Sequence, residues 1–178
     1  GLEGGGMRLD VAWRFPMGRC VDAPPLVVSW RHTPRAGAHP TGHIPGDATS
    51  RPREEGRGRQ AVVVGSHAHI VASVCLLSGG VFWTTRLHGR VEGAAAVSTG
   101  GSLLLVPTYD CAVYILAGQC GTVLRRLATD DAVKGAVRVA PVANEAWFGS
   151  HDGTLRSLRL SAPEATVEER WASRGAVF

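Results

Sequence analysis

The sequence predicts an all-β fold: a partial β-propeller of four-stranded blades, about three blades plus the start of a fourth. One apolar strand recurs with a period of 42, a second marker recurs at the same spacing, and each period holds four short apolar runs separated by turns. Four strands in every roughly 40 to 50 residues is typical of propeller blades, whose small sheets pack face to face. A β-sandwich is the competing architecture, but it does not need an equal period.

The first recurring element is an apolar strand that runs into a tight turn. Its copies lie at positions 62–64, 104–106 and 146–148, so the spacing between successive copies is constant. Glycine, proline and aspartate in the residues that follow supply the sharp reversal of the chain. The residues that mark these turns in the repeat are Gly65, Ser66, His67, Tyr109, Asp110, Gly149, Ser150, His151 and Asp152.

The second recurring element is Val-Glu-Gly-Ala at positions 91–94, which returns as Val-Lys-Gly-Ala at 133–136. An earlier copy lies at 21–24, further upstream than one period would place it. The extra residues fall in the segment 29–60, which is rich in Arg, Pro and Gly. We therefore predict one partial propeller over residues 1–178, with a disordered insertion at 29–60 in the first blade.

Within one period the apolar runs are 91–97, 103–106, 112–116 and 123–127, with Gly-containing turns between them. Their lengths fit four strands, and no run has the sustained spacing of an amphipathic helix.

Composition excludes several classes of function. Residues 30–60 carry six Arg against three acidic residues, which is +3 of the net charge of +4, so no basic groove for nucleic acid is expected on the fold itself. No run approaches the roughly 20 apolar residues that span a bilayer, so no membrane partner is expected. The four cysteines form no C-x-x-C pair and are interpreted as buried reduced thiols, which favours an intracellular, cytoplasmic location.

Several strings resemble known propellers. Residues 77–83, Leu-Ser-Gly-Gly-Val-Phe-Trp, resemble the blade repeat of the pyrroloquinoline quinone (PQQ) propellers, and Trp13, Trp83 and Trp171 occupy similar places. More closely, the strings at 18–28, 64–69, 129–134 and 149–152 resemble the C-terminal propellers of the beta-alanine-activating enzymes. These are also called acyl-CoA synthetase family member 4, or aminoadipate-semialdehyde dehydrogenase homologues.

The resemblance implies a larger protein in which an ATP-dependent adenylating domain and a phosphopantetheine carrier domain precede the propeller. ATP and phosphopantetheine would then be cofactors of the whole ligase, acting on an amino acid or fatty acid, and this chain would need none. The expected role of this chain is a non-catalytic module whose loops contact proteins or the carrier domain. The resemblance also implies a ring of seven or eight blades, so three blades would not close it and are expected to associate.

A quinone-binding oxidoreductase domain is the alternative. True quinoprotein dehydrogenases stack a Trp on PQQ, bind Ca²⁺ and often carry a vicinal disulfide, and this sequence has no Cys-Cys pair. Its tryptophans are better explained as packing between blades. A quinoprotein-like fold alone does not imply quinone binding, because one fold can host many functions.

Three polar pairs invite a chemical interpretation. His67 and His69 would face the same side of an extended strand, as two metal ligands require, but no third ligand is identifiable and a turn role is favoured. His151 and Asp152 suggest an acid–base pair, yet the preceding repeat keeps the Asp and loses the His. The pair at 130–131 is interpreted as a solvated loop. We therefore predict no catalytic, cofactor-binding or metal-binding residue.

Overall fold

The computed structural model describes residues 10–30, 59–161 and 166–174, with the backbone alone from residue 161 onward. This part of the chain contains twelve strands and no helix, and hence none long and apolar enough to cross a membrane. The strands are β1 (Leu26–Trp30), β2 (Arg59–Gly65), β3 (Ile70–Cys75), β4 (Val81–Arg86), β5 (Ala96–Val97), β6 (Leu103–Thr108), β7 (Ala112–Ala117), β8 (Val123–Ala128), β9 (Arg138–Ala140), β10 (Glu145–Ser150), β11 (Thr154–Ser161) and β12 (Thr166–Arg174).

The strands form three separate four-stranded sheets, each built from four consecutive strands in antiparallel order. We call β1–β4 blade 1, β5–β8 blade 2 and β9–β12 blade 3. Each blade is a simple meander, the arrangement that short antiparallel strands joined by tight turns produce. The prediction of an all-β, propeller-type fold with four-stranded blades is confirmed.

The period of the sequence is also the period of strand pairing. Val62 pairs with Val74 in blade 1, Leu104 with Leu116 in blade 2, and Ala146 with Leu158 in blade 3. Each of these pairs lies one period after the one before. The repeated apolar positions therefore occupy the same place in each sheet, which is why the spacing survives in the sequence.

Blade 2 is packed on both faces. Successive residues of a strand point to opposite sides of its sheet. Leu104 lies in the core that blade 2 shares with blade 1, together with Val63 and Trp83. Its neighbour Leu105 lies in the core shared with blade 3, together with Phe148. All six residues of β6 are buried as a result.

Tryptophan docks onto a glycine turn where one blade meets the next. The indole Nε1 of Trp83 donates to the carbonyl oxygen of Gly118, 3.0 Å away, and Trp13 donates in the same way to Leu76, also at 3.0 Å. The two acceptors are one period apart in the sequence. Trp13 thus occupies on blade 1 the position that Trp83 occupies on blade 2. A tryptophan on the outer strand of a preceding blade would lie at this position.

The position of Trp171 follows from backbone register. It pairs with Ser157 of β11, as Trp83 pairs with Ser73 of β3. Blade 2 departs from the pattern, because Arg125 lies at the corresponding position, opposite Ile115. The side chain of Trp171 is outside the described residues.

Two strand boundaries differ from the predicted ones. The predicted strand at 91–97 shortens to β5, because the residues before Ala96 cross from blade 1 to blade 2, where the Val91 amide bonds to the Ser66 carbonyl at 3.1 Å. The predicted insertion at 29–60 falls mainly on residues 31–58, which lie outside the described part. Its flanks are strand residues: Trp30 pairs with Arg59, and Ser29 with Gln60.

The cysteines are free, but the prediction that all are buried is wrong. Cys75 and Cys111 are half-buried, whereas Cys20 and Cys120 are exposed. Cys20 lies in the irregular segment before β1 and Cys120 in the β7–β8 turn, so neither belongs to an apolar strand face.

Candidate functional site

The functional candidates meet at one end of the blades, where each linker into a blade passes the turn between that blade's second and third strands. Three backbone hydrogen bonds repeat here. The His67 amide donates to Cys20, the Tyr109 amide to Arg90, and the His151 amide to Ala132, at 2.9, 3.1 and 2.9 Å. The linkers and turns are therefore held at fixed positions by the repeat itself. We call this end the linker face.

The aspartates of the turns in blades 2 and 3 organise those turns. Asp152 accepts hydrogen bonds from the Ser150 hydroxyl and the Thr154 amide, and Arg156 lies 2.9 Å from its carboxylate. Burial raises the pKa of Asp152, but the hydrogen bonds from Arg156, Ser150 and Thr154 outweigh it and hold the pKa well below its ordinary value.

Asp110 is the counterpart of Asp152 in blade 2. Its carboxylate accepts from the hydroxyls of Thr108 and Tyr114, and Arg126 lies 3.3 Å away. Desolvation alone would raise the pKa of Asp110, but the two hydroxyl hydrogen bonds and the Arg126 charge lower it. Both aspartates are thus ionised, paired groups in turns.

Blade 1 departs from this arrangement, since Ala68 replaces the turn aspartate. Its turn is closed by Ser66, whose hydroxyl donates to the Met17 carbonyl and accepts from the Ala68 amide, at 3.0 and 3.2 Å. The neighbouring His67 points toward two carboxylates. Its Nε2 lies 3.1 Å from Asp22 Oδ2 and 3.0 Å from Glu92 Oε1.

The Asp22–His67–Glu92 cluster brings together three elements. Asp22 lies on the linker into blade 1, His67 in the β2–β3 turn, and Glu92 on the linker into blade 2. The ligand atoms of the three side chains all lie within 4.8 Å of one another. Glu92 is 22% exposed and Asp22 62%, so the cluster opens to solvent on the Asp22 side.

Glu92 continues the cluster toward blade 2. Its Oε2 accepts the hydroxyl of Tyr109, and Arg90 Nε lies 2.9 Å from its Oε1. Arg90 also lies 3.8 Å from the centre of the Tyr109 ring, and the Lys134 ammonium lies 5.1 Å from the same ring. The hydrogen bond to Glu92 is the main reason that the pKa of Tyr109 is raised.

The structure brings some of the predicted markers together and leaves others apart. Gly65 and Gly149 lie on β2 and β10. His67 and Tyr109 meet through Glu92, whereas His69 adopts the left-handed backbone conformation, with φ of 65°, rather than the extended one assumed for a His67–His69 pair. The exposed His151 belongs to the turn of blade 3.

Sequence reasoning missed Asp22, Glu92, Arg90 and Lys134 as partners of the turn. The repeat carries part of the signal, since Asp22, Glu92 and Lys134 are the same position of three successive linkers. That each linker passes a turn is seen only in the hydrogen bonds of the structure.

Comparison with known proteins supports the predicted resemblance. A segment of the human beta-alanine-activating enzyme is 34% identical over 110 residues, which is 62% of this chain and 8% of that protein. The enzymes of Mus musculus and Danio rerio are 33% and 31% identical over 99 and 98 residues, 56% and 55% of this chain, and 7% and 6% of those proteins. The chain thus spans less than a tenth of the length of the curated relatives it matches, and the resemblance is confirmed as one to a small part of these enzymes. No protein-family model matches the sequence.

Among solved structures, BamB from Moraxella catarrhalis aligns with a TM-score of 0.55 and 18% identity, covering 67% of this chain and 34% of the other. This likeness bears on the fold, and it fits a partial β-propeller.

Proposed function

We propose that this chain is a non-catalytic β-propeller module of an ATP-dependent acyl-activating enzyme. The observation that carries the proposal is the sequence match to beta-alanine-activating enzymes, combined with the three-blade architecture. Adenylation and carrier functions, with their ATP and phosphopantetheine, would belong to other parts of the protein. The four free thiols fit the cytoplasmic location that we also propose.

The described polar groups support a structural role for the blades. Asp110 and Asp152 accept hydrogen bonds from residues in their own turns and in the strands beside them. Trp13, Trp30 and Trp83 donate their indole N–H groups to Leu76, Ser73 and Gly118. Indoles held between blades do not stack on a quinone, so this packing favours a repeat module over the alternative of a PQQ-binding oxidoreductase.

The linker face is the surface that we propose for recognition. Rigid blades position its loops, and loops on a rigid scaffold commonly carry binding residues. Arg90, Lys134 and Asp130 are exposed there. A carrier domain presents an anionic phosphopantetheine phosphodiester, for which Lys134 offers a mobile positive charge.

The first test is catalytic. The purified polypeptide is incubated with ATP, beta-alanine and radiolabelled pyrophosphate, and separately with PQQ, Ca²⁺ and an alcohol or aldehyde. We expect neither pyrophosphate exchange nor oxidation. Exchange above the no-enzyme rate would contradict the non-catalytic assignment.

The second test is binding. The phosphopantetheine-loaded carrier domain of the human beta-alanine-activating enzyme is titrated by calorimetry. We expect saturable binding that Lys134→Glu weakens, with Arg138→Glu, the same charge change on strand β9, as the matched control. Equal loss in both variants would indicate a general charge effect, and no binding to the unaltered chain would overturn the proposed partner.

A further inference from the structure

We infer that Asp22, His67 and Glu92 form a binding site for a divalent transition-metal ion of the zinc class. The three side chains supply one imidazole nitrogen and two carboxylate oxygens, which are ligands that Zn²⁺ accepts. Hard ions such as Ca²⁺ and Mg²⁺ prefer oxygen ligands throughout. The inference does not depend on the role proposed for the propeller.

The distances are close to those between ligands that share one ion. Zn²⁺ lies about 2.0–2.2 Å from nitrogen and oxygen ligands, so neighbouring ligand atoms of a tetrahedral site are separated by roughly 3.3–3.6 Å. His67 Nε2 lies 3.1 Å from Asp22 Oδ2 and 3.0 Å from Glu92 Oε1. Both separations are a few tenths of an ångström shorter than this spacing, so a bound ion would move the carboxylate oxygens slightly outward, and ordinary contacts have the same distances.

The orientation of the His67 imidazole distinguishes a metal site from an ordinary polar contact. His67 Nε2 is shielded from solvent, yet it makes no hydrogen bond to any described residue. Since both carboxylate oxygens are close enough for one, they must lie away from the direction of the ring N–H. A simple hydrogen bond would align one of them with the ring N–H, whereas an ion held between the ring nitrogen and the two carboxylates does not need that alignment.

The scaffold positions all three ligands without help from an ion. The His67 amide is bonded to Cys20, next but one before Asp22, and the Val91 amide, next to Glu92, is bonded to Ser66. Both linkers are thereby tied to the turn that carries the imidazole. Glu92 is further oriented by the Tyr109 hydroxyl on its other oxygen, the kind of support that metal-binding carboxylates usually receive.

The fold alone does not require this set of side chains. The corresponding positions around the blade 2 turn are Glu92, Tyr109 and Lys134, yet the Tyr109 amide still bonds to Arg90 as the His67 amide bonds to Cys20. The backbone arrangement is thus kept while the ligand set is lost. Among the described residues, three metal-binding side chains meet only around the β2–β3 turn of blade 1.

One cation already contacts the cluster, since Arg90 Nε lies 2.9 Å from Glu92 Oε1. The Arg90 side chain is 44% exposed and also covers the Tyr109 ring, so it can leave the carboxylate without losing every contact. A bound ion would compete with Arg90 for this oxygen. Removing the guanidinium should therefore strengthen metal binding.

The test is calorimetric titration of Zn²⁺ into the full chain in a background that lacks Cys20, close to Asp22, and the three histidines of residues 31–58. That background carries Cys20→Ser, His32→Gln, His39→Gln and His43→Gln. We expect one ion per chain, with affinity reduced at least about 10-fold by His67→Gln and by Glu92→Gln, and increased by Arg90→Ala. His151→Gln, at the same turn position of blade 3, is the matched control and should change affinity less than about twofold.

Two further readouts keep the test informative. Circular dichroism checks that each variant is folded. Zn²⁺ should raise the melting temperature of the background protein but not that of His67→Gln, because an ion that binds only the native state stabilises that state. X-ray absorption of the bound ion should show nitrogen and oxygen ligands without sulfur. Absence of saturable binding, or equal affinity in folded His67→Gln and His151→Gln, would overturn the inference.

Discussion

The Trp83 indole of blade 1 packs directly on Gly121, in the β7–β8 turn of blade 2. Gly121 has a φ of 73°, and a β-carbon there would lie 2.6 Å from Trp83 Cδ2, so the turn needs glycine for both its conformation and its clearance. Gly79, one period earlier, has a φ of 68° and lies under Trp13 in the same way. Contacts of this kind join the blades, and interfaces between neighbours supply much of the stability of a repeat array.

Shortening the Trp83 side chain should therefore lower the free energy of unfolding. Trp83→Ala removes a buried ring and is expected to cost about 3–5 kcal/mol. Trp83→Phe keeps most of the apolar contact but leaves the Gly118 carbonyl without its donor, at a cost of about 1–3 kcal/mol. Urea unfolding followed by circular dichroism measures both. Val81→Ala, at an exposed position on the same strand, is the control, and an equal loss there would show that the indole contact carries no special stability.

Gly93 and Gly135 offer a matched pair, since they are the same linker position one period apart. A β-carbon at Gly93 would lie 2.8 Å from Pro107 Cγ and 2.9 Å from the Lys134 carbonyl oxygen, whereas one at Gly135 meets nothing within 4 Å. We expect Gly93→Ala to destabilise by about 1–3 kcal/mol through overpacking, and Gly135→Ala to be neutral or slightly stabilising. Equal thermal melts of the two variants would contradict this account of linker packing.

The fold could be predicted from sequence because propeller blades repeat their chemistry. The pairing of Leu104 with Leu116 recurs in the other two blades. The constant spacing between the repeated apolar runs therefore predicted which residues occupy equivalent positions in the three sheets. The short strand β5 could not be predicted in the same way. Apart from Glu92, residues 91–95 are as apolar as those of a strand. Their backbone groups bond between blades, however, and composition does not reveal which partner an amide finds.

The contacts within the candidate site were even harder to predict from the sequence. His67 is far in the sequence from both Asp22 and Glu92, and only the passage of a linker beside a turn brings the three together. The period identifies which linker positions correspond, but not that they contact the turn. Turn aspartates such as Asp152 were easier to predict, because their hydrogen bonds are made to near neighbours in the chain.

Replacing residues 31–58 with a short Asn-Gly linker should preserve the fold, because Trp30 and Arg59 on either side are already paired in adjacent strands. Closing a shorter loop costs less entropy, so the free energy of unfolding should rise by about 2 kcal/mol. The mid-point of urea unfolding measures this change. A loss of several kcal/mol would show that the replaced segment packs on the blades.

Acid should destabilise the chain partly through Asp110 and Asp152. The pKa of each is lowered in the folded protein, so each stabilises the fold above the unfolded value near 3.8, and that contribution is lost as pH falls through the folded pKa. At pH 7, Asp152→Asn should cost about 1–3 kcal/mol, because Arg156 loses its charged partner.

The difference between Asp152→Asn and the unaltered protein should shrink as the pH is lowered from 5 toward about 2, since the neutral aspartic acid then resembles the amide. Urea unfolding at a series of pH values measures this difference. Asp130→Asn, at the exposed residue whose backbone amide donates to the Asp152 carboxylate, is the comparison and should lower the stability at pH 7 by less than Asp152→Asn does. A difference for Asp152→Asn that stays constant across the series would mean that the lost stability comes from hydrogen-bond geometry rather than from the carboxylate charge.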